Sequence, residues 1–164
     1  PDERWVLKTP HHLEWLDVLL EVFPDATLVW THRDLGDVVP SFCSMLAHAR
    51  GVFSDHVDPR DIGRSWGLGK GVRMVERALE VRAQRPERFV DVRYEELLRD
   101  PIEVLGRVLD HAGLPLTKEA EQSARDRLRR ERKDRHGAHA YRLADFGLER
   151  GELDRAYARY HAMR

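Results

Sequence analysis

Ala26-Thr27-Leu28-Val29-Trp30-Thr31-His32-Arg33-Asp34-Leu35-Gly36-Asp37-Val38-Val39-Pro40-Ser41 changes character twice within a short span. Leu28, Val29, Trp30 and Thr31 are apolar or β-favouring, and turn residues bound the run, so it reads as a buried strand. Asp-Leu-Gly-Asp then reads as a helix start. Arg33 falls at the carboxyl end of the strand and Ser41 in the early turns of the following helix. In open α/β sheets this is the edge where ligands bind, and helix N-termini favour anions. A guanidinium offers charge and a fork of donors there, and a serine hydroxyl adds one more, which together suit a phosphate. A structural arginine paired with Asp34 or Asp37 is the competing reading.

Working outward, Arg4-Trp5-Val6-Leu7-Lys8-Thr9-Pro10 reads as a short strand ended by proline. From His11 to Phe23 the residues Leu13, Leu16, Leu19, Leu20 and Phe23 recur at helical spacing, which predicts an amphipathic helix stopped by Pro24-Asp25. Strand, helix and strand with short joints make a βαβ unit, hence a parallel sheet and an α/β fold. That topology puts Lys8 and Arg33 at neighbouring strand ends. Downstream, the pattern predicts a helix from Asp61 to Ala83, a strand over 89–94, a helical stretch over 95–100 and a helix from Pro101 to Ala112. Pro101 suits a first helical position, and Gly113 suits a left-handed cap. A further helix from Thr117 to Lys133 and a short one from Glu152 to Met163 follow. Gly63, Gly67, Gly69 and Gly71 weaken the long helix; with no strand before them, close packing or a bend explains them better than a phosphate loop.

The bulk numbers fit one domain. With 164 residues, 41% hydrophobic and 35% charged, the chain has enough apolar content for a core. A net charge of -1 argues against a whole-domain nucleic-acid or membrane-surface binder, while a small anion needs only a local positive pocket. The single cysteine, Cys43, allows neither an internal disulfide nor a multi-cysteine metal site and reads as a small buried residue. No apolar run is long enough to span a bilayer and no signal-peptide pattern opens the chain, so a cytoplasmic location is expected. The chain opens a few residues before an expected core strand, so an incomplete domain is expected as well.

Thr31-His32-Arg33-Asp34-Leu35-Gly36-Asp37-Val38-Val39-Pro40-Ser41 resembles the 3′-phosphate motif of sulfotransferases that use 3′-phosphoadenosine 5′-phosphosulfate (PAPS). Arg33 and Ser41 match its two phosphate-contacting positions. Lys8-Thr9-Pro10-His11-His12 resembles the family's Lys-Thr-His or Lys-x-Pro segment, with Lys8 at the family's lysine. In that family the histidine base falls two residues after the lysine, where this chain has Pro10; His11 and His12 are the candidates left for the base. A lysine there can stabilise charge growing on a bridging oxygen, and a histidine titrating near neutral pH can take the acceptor's proton. Either histidine could equally be a polar residue at a helix start. A metal site is disfavoured, because adjacent histidines on a helix point in different directions.

Val92-Arg93-Tyr94-Glu95-Glu96-Leu97-Leu98-Arg99-Asp100-Pro101 resembles the segment whose tyrosine lies against the adenine, which implies that role for Tyr94. The basic run 125–136 is interleaved with acids and reads as a solvated helix face; Lys133 or Arg135 near its end could match the family's basic loop, of which only Gly137 is kept. His139-Ala140-Tyr141-Arg142-Leu143-Ala144-Asp145-Phe146-Gly147-Leu148 resembles the tail of bacterial sulfotransferase-like proteins, with His139 read as structural.

The resemblance implies a helix-rich, three-layer, P-loop-like α/β fold with a parallel sheet, a PAPS cosubstrate, no metal, and a small-molecule or glycan acceptor carrying a hydroxyl or amine. It also implies that the loop cradling the 5′-phosphosulfate lies upstream of Trp5, so that this chain is the carboxy-terminal part of such an enzyme. Two alternatives stay open: a non-catalytic nucleotide-binding or interaction module, and a nucleoside-phosphate kinase or other P-loop enzyme, whose Walker lysine and magnesium ligands are not found here. A homo-oligomer is also left open.

Overall fold

The computed structural model describes residues 4–130 and 141–163. Residues 4–9 are exposed, have no regular secondary structure and join no sheet among the described residues, so the strand expected there does not form. β-propensity counts only where side chains pack on a neighbouring surface, and Trp5 and Val6 are 78% and 94% exposed. The Lys8–Arg33 juxtaposition inferred from two parallel strand ends therefore loses its first strand. Pro10–Glu14 is a single 3-10 turn, opened by Thr9, whose hydroxyl accepts from the His11 amide at 3.4 Å. Helix α1 is shorter than expected, Leu16–Val22, because Trp15 leaves helical geometry at φ -134°.

Strand β1, Leu28–His32, pairs in parallel with β2, Phe89–Arg93; Leu28 lies opposite Phe89 and His32 opposite Arg93. A parallel pair needs a long crossover. It begins with α2, Leu35–Gly51, capped by the Asp34 carboxylate, which accepts from Gly36 N at 2.7 Å. It continues through α3, Pro59–Ile62, a π-helical section Gly63–Lys70, and α4, Gly71–Gln84, which form one unbroken helical run. The expected long helix is thus present, with its glycine-rich half in π geometry. Those glycines do pack closely. A Cβ on Gly63 would stand 2.1 Å from the Phe146 carbonyl oxygen, one on Gly67 2.9 Å from Leu148 Cδ1, and one on Gly71 2.5 Å from the Tyr157 hydroxyl. At four-residue spacing the three lie along one helix face, and the chain's own tail occupies it.

Helices α5, Tyr94–Arg99, α6, Pro101–His111, and α7, Lys118–Arg130, follow β2. Asp100 caps α6 through the Ile102 and Glu103 amides at 3.1 and 3.0 Å, and Gly113 closes it in the left-handed region at φ 67°. The tail comprises a 3-10 turn, Leu143–Phe146, then α8, Arg150–Ala156, and α9, Ala158–Met163. The single short helix expected here is broken at Tyr157, and it docks on the core through Leu153, Tyr157 and Tyr160, all buried.

The sheet separates two cores. Trp30 and Phe89 face a large cluster with Leu16, Leu20, Val39, Ile62, Leu79 and Tyr160. Val90 and Val92 face the other way, against Val104 and Val108 of α6. Helix, sheet and helix are the three layers of the P-loop-like α/β fold. Helix α6 packs on β2; on the same face of β1, Val29 remains 46% exposed.

Candidate functional site

The site is built where the two strands end. Register sets His32 opposite Arg93, so the next residue of each strand, Arg33 and Tyr94, leaves the sheet beside the other. The Arg33 guanidinium lies over the Tyr94 ring, 4.6 Å from its centroid. Its Nε and Nη2 also donate to Asp37 Oδ2 at 3.2 and 3.1 Å, one turn into α2. Both members of that pair are about half exposed, 46% and 58%. Asp34 points elsewhere. Besides capping α2 it accepts two parallel hydrogen bonds from Arg150 of α8, Nη1 to Oδ1 at 2.8 Å and Nη2 to Oδ2 at 2.9 Å. Those bonds to Asp34 hold the Arg150 guanidinium above its ordinary pKa. Ser41 sits half-buried on α2, two turns beyond Arg33.

Lys8 is solvent-exposed in the extended segment and has no hydrogen bond or ion pair among the described residues. His11 lies edge-on to Trp66, with centroids 5.8 Å apart, and Trp66 packs on Phe42 at 5.1 Å, the residue after Ser41. Lys70 stands 5.0 Å from the Trp66 ring and pairs with Glu14 at 3.4 Å. An aromatic bridge therefore joins the His11 turn to α2 beside Ser41. His12 is half-buried, and its carbonyl accepts from Trp15 N at 2.9 Å. Arg33 and Tyr94 are brought into contact, and His11 is linked to the Ser41 region. Lys133, Arg135, Gly137 and His139 lie outside the described residues. Among the described residues, no three or more His, Cys, Asp or Glu side chains converge as a metal site, and no helix is long and apolar enough to cross a membrane.

One network went unread in the sequence. His32 is 3% exposed; its Nε2 donates to Asp91 Oδ1 at 2.8 Å, and its Nδ1 lies 3.0 Å from the Tyr160 hydroxyl. A carboxylate only accepts, so the proton facing Asp91 sits on Nε2, an assignment made from the partner. Arg82 donates to the second Asp91 oxygen. Burial alone would raise the Asp91 pKa, but the bonds from Arg82 and His32 outweigh it and hold the carboxyl below its usual range. The available signal was strand alternation, which places His32 on the buried face with Trp30. Cys43 is buried as expected, and burial pushes its thiol pKa up to about 11.

Fold and site together define an α/β protein of P-loop-like architecture with a cationic, aromatic-backed turn at its strand ends. The family model described as the sulfotransferase family matches residues 1–119, and the chain belongs to that family. It is 32% identical over 119 residues to the omega-hydroxy-beta-dihydromenaquinone-9 sulfotransferase Stf3 of Mycobacterium bovis, an alignment covering 66% of this chain and 28% of that protein. The Mycobacterium tuberculosis Stf3 matches equally. The crystal structure of sulfotransferase STF9 from Mycobacterium avium superimposes with a TM-score of 0.87 at 34% identity, over 98% of this chain and 41% of that one. That of STF1 from Mycobacterium tuberculosis gives 0.79 at 33% identity, over 95% and 40%. The chain thus spans well under half the length of these relatives.

Proposed function

We propose that this chain forms the 3′-phosphate and adenine side of a PAPS-dependent sulfotransferase. The observation that carries the reading is the Arg33 guanidinium stacked on Tyr94 at 4.6 Å where the two strands end. In this reading Arg33 and Ser41 hold the 3′-phosphate, and Tyr94 lies against the adenine. Lys8 stabilises the oxygen left when the sulfur–oxygen bond to the nucleotide breaks. His11 or His12 takes the proton from the acceptor as its oxygen or nitrogen attacks sulfur. The Mycobacterium bovis relative is named for a hydroxylated menaquinone, which supports a hydroxyl acceptor on a small molecule.

The Arg33–Asp37 pair does not oppose this role. An exposed i,i+4 ion pair is worth only about 0.3–0.5 kcal/mol, whereas a forked guanidinium–phosphate contact is among the stronger charge-assisted bonds. Arg33 can therefore exchange Asp37 for phosphate at little cost.

Calorimetric titration with adenosine 3′,5′-bisphosphate tests the proposal. Micromolar binding by the wild type, about -8 kcal/mol, and its loss in Arg33→Ala are expected. ATP with magnesium serves as the competitor. Tighter binding of ATP, or equal affinity in Arg33→Ala, would refute the assignment.

A further inference from the structure

Within four residues of Arg33 the chain carries Asp34 and Asp37, so the turn that should attract a phosphate has a local formal charge of -1 on its own. The balancing cation comes from the far end of the chain. Arg150 grips both oxygens of Asp34 at 2.8 and 2.9 Å, while its Nε donates to Asp154 of its own helix at 2.9 Å. Asp34 keeps its bond to the Gly36 amide throughout, so Arg150 does not displace the cap. Two consequences follow from the geometry. Asp34 meets a guanidinium that it shares with Asp154, and its carboxylate is turned towards α8.

We infer that Arg150 is a positioning residue of the nucleotide site: through Asp34 it keeps Arg33 available to a phosphate. The docked tail thereby acquires a role beyond covering the core. Its other polar anchors reach different places: Tyr157 donates to the Gly67 carbonyl at 2.8 Å, Tyr160 bonds His32, and Arg159 pairs with Glu76. Arg150 ends on the turn. Because Arg150 and Asp34 are 51% and 44% exposed, salt should screen the effect.

This inference rests on the nucleotide reading above, and the experiment separates the two. Adenosine 3′,5′-bisphosphate is titrated into wild type, Arg33→Ala, Arg150→Gln, Arg150→Lys and the double variant Arg150→Gln/Asp34→Asn, with a melting curve for each. Arg150→Gln should weaken binding about fivefold at low salt, the scale of one partly exposed charge, and less at high salt. Arg150→Lys keeps the charge and should lose less. The decisive variant is the double: asparagine still caps a helix but removes the uncompensated charge, so affinity should return towards the wild type. A merely structural role would lower the melting temperature of Arg150→Gln and leave the double variant unrescued. Wild-type affinity in Arg150→Gln, or no rescue by Asp34→Asn, would overturn the inference while leaving the site intact. If the wild type fails to bind, or Arg33→Ala binds as well as it, the nucleotide reading falls and this one with it.

Discussion

Substituting Gly63 by alanine tests whether the tail is locked onto the glycine face of the long helix. The added Cβ would stand 2.1 Å from the Phe146 carbonyl oxygen and 3.1 Å from the Phe146 carbonyl carbon and Cβ. Ordinary carbon–oxygen contacts begin near 3.3 Å, so the two backbones must separate by roughly 1.2 Å. Neither side can yield by a rotamer change. Gly63 is buried inside the π-helical section, and Phe146 belongs to a turn that closes at Gly147 with φ 64°. Overpacking costs about 1–3 kcal/mol, and contact between two backbones belongs at the upper end. Alanine returns up to about 1 kcal/mol in helix propensity, leaving a net loss of about 2 kcal/mol. For a chain of this size each kcal/mol moves the melting temperature by about 2–4 °C, so a fall of about 4–8 °C is expected by differential scanning calorimetry. Gly106→Ala supplies the contrast: it lies within α6, where the nearest atom, Leu116 Cδ2, is 3.7 Å away. It should stabilise by up to about 1 kcal/mol. Gly63→Ala melting at or above the wild type would refute the packing argument.

The depressed Asp91 pKa sets a pH window: its stabilisation is complete above the unfolded value of about 3.9 and is lost as pH falls towards the lower folded value. Urea midpoints for wild type and Asp91→Asn should therefore differ at neutral pH and converge below about pH 4; a gap constant with pH would exclude the mechanism. Cys43, buried with its thiol pushed up to about 11, should resist an aromatic disulfide reagent at pH 8 and react only in denaturant. Rapid labelling of the native chain would show that α2 opens far more readily than its packing allows.

The Arg33 turn was legible because everything that makes it is local. A β-favouring run, an Asx cap at Asp34 and helix-forming residues beyond it sit within a few positions of one another, and β1 and α2 form there. The second strand and the Pro101 and Gly113 punctuation were readable for the same reason. Trp5-Val6-Leu7 misled because a β-pattern records only fitness for a pleated surface, and no such surface meets these residues among those described. The glycines announced close packing, but spacing along a helix cannot name the partner, which is the tail some eighty positions later.

Long-range partners also decide how the site's charges are read. From sequence, Asp34 and Asp37 were equivalent candidates to neutralise Arg33; in the fold they are not. Asp37 engages Arg33 across one helical turn, where a pair of exposed side chains can part at little cost. Asp34, adjacent to Arg33 in the chain, is claimed by Arg150 from 116 positions away. His32 likewise takes its partners from far along the chain, Asp91 on the neighbouring strand and Tyr160 of α9. At Arg33 the local motif specifies a cation at a strand end, and the tail engages one of the two acids beside it. Electrostatic availability is thus a tertiary property of this turn, even though its residues lie side by side in the sequence.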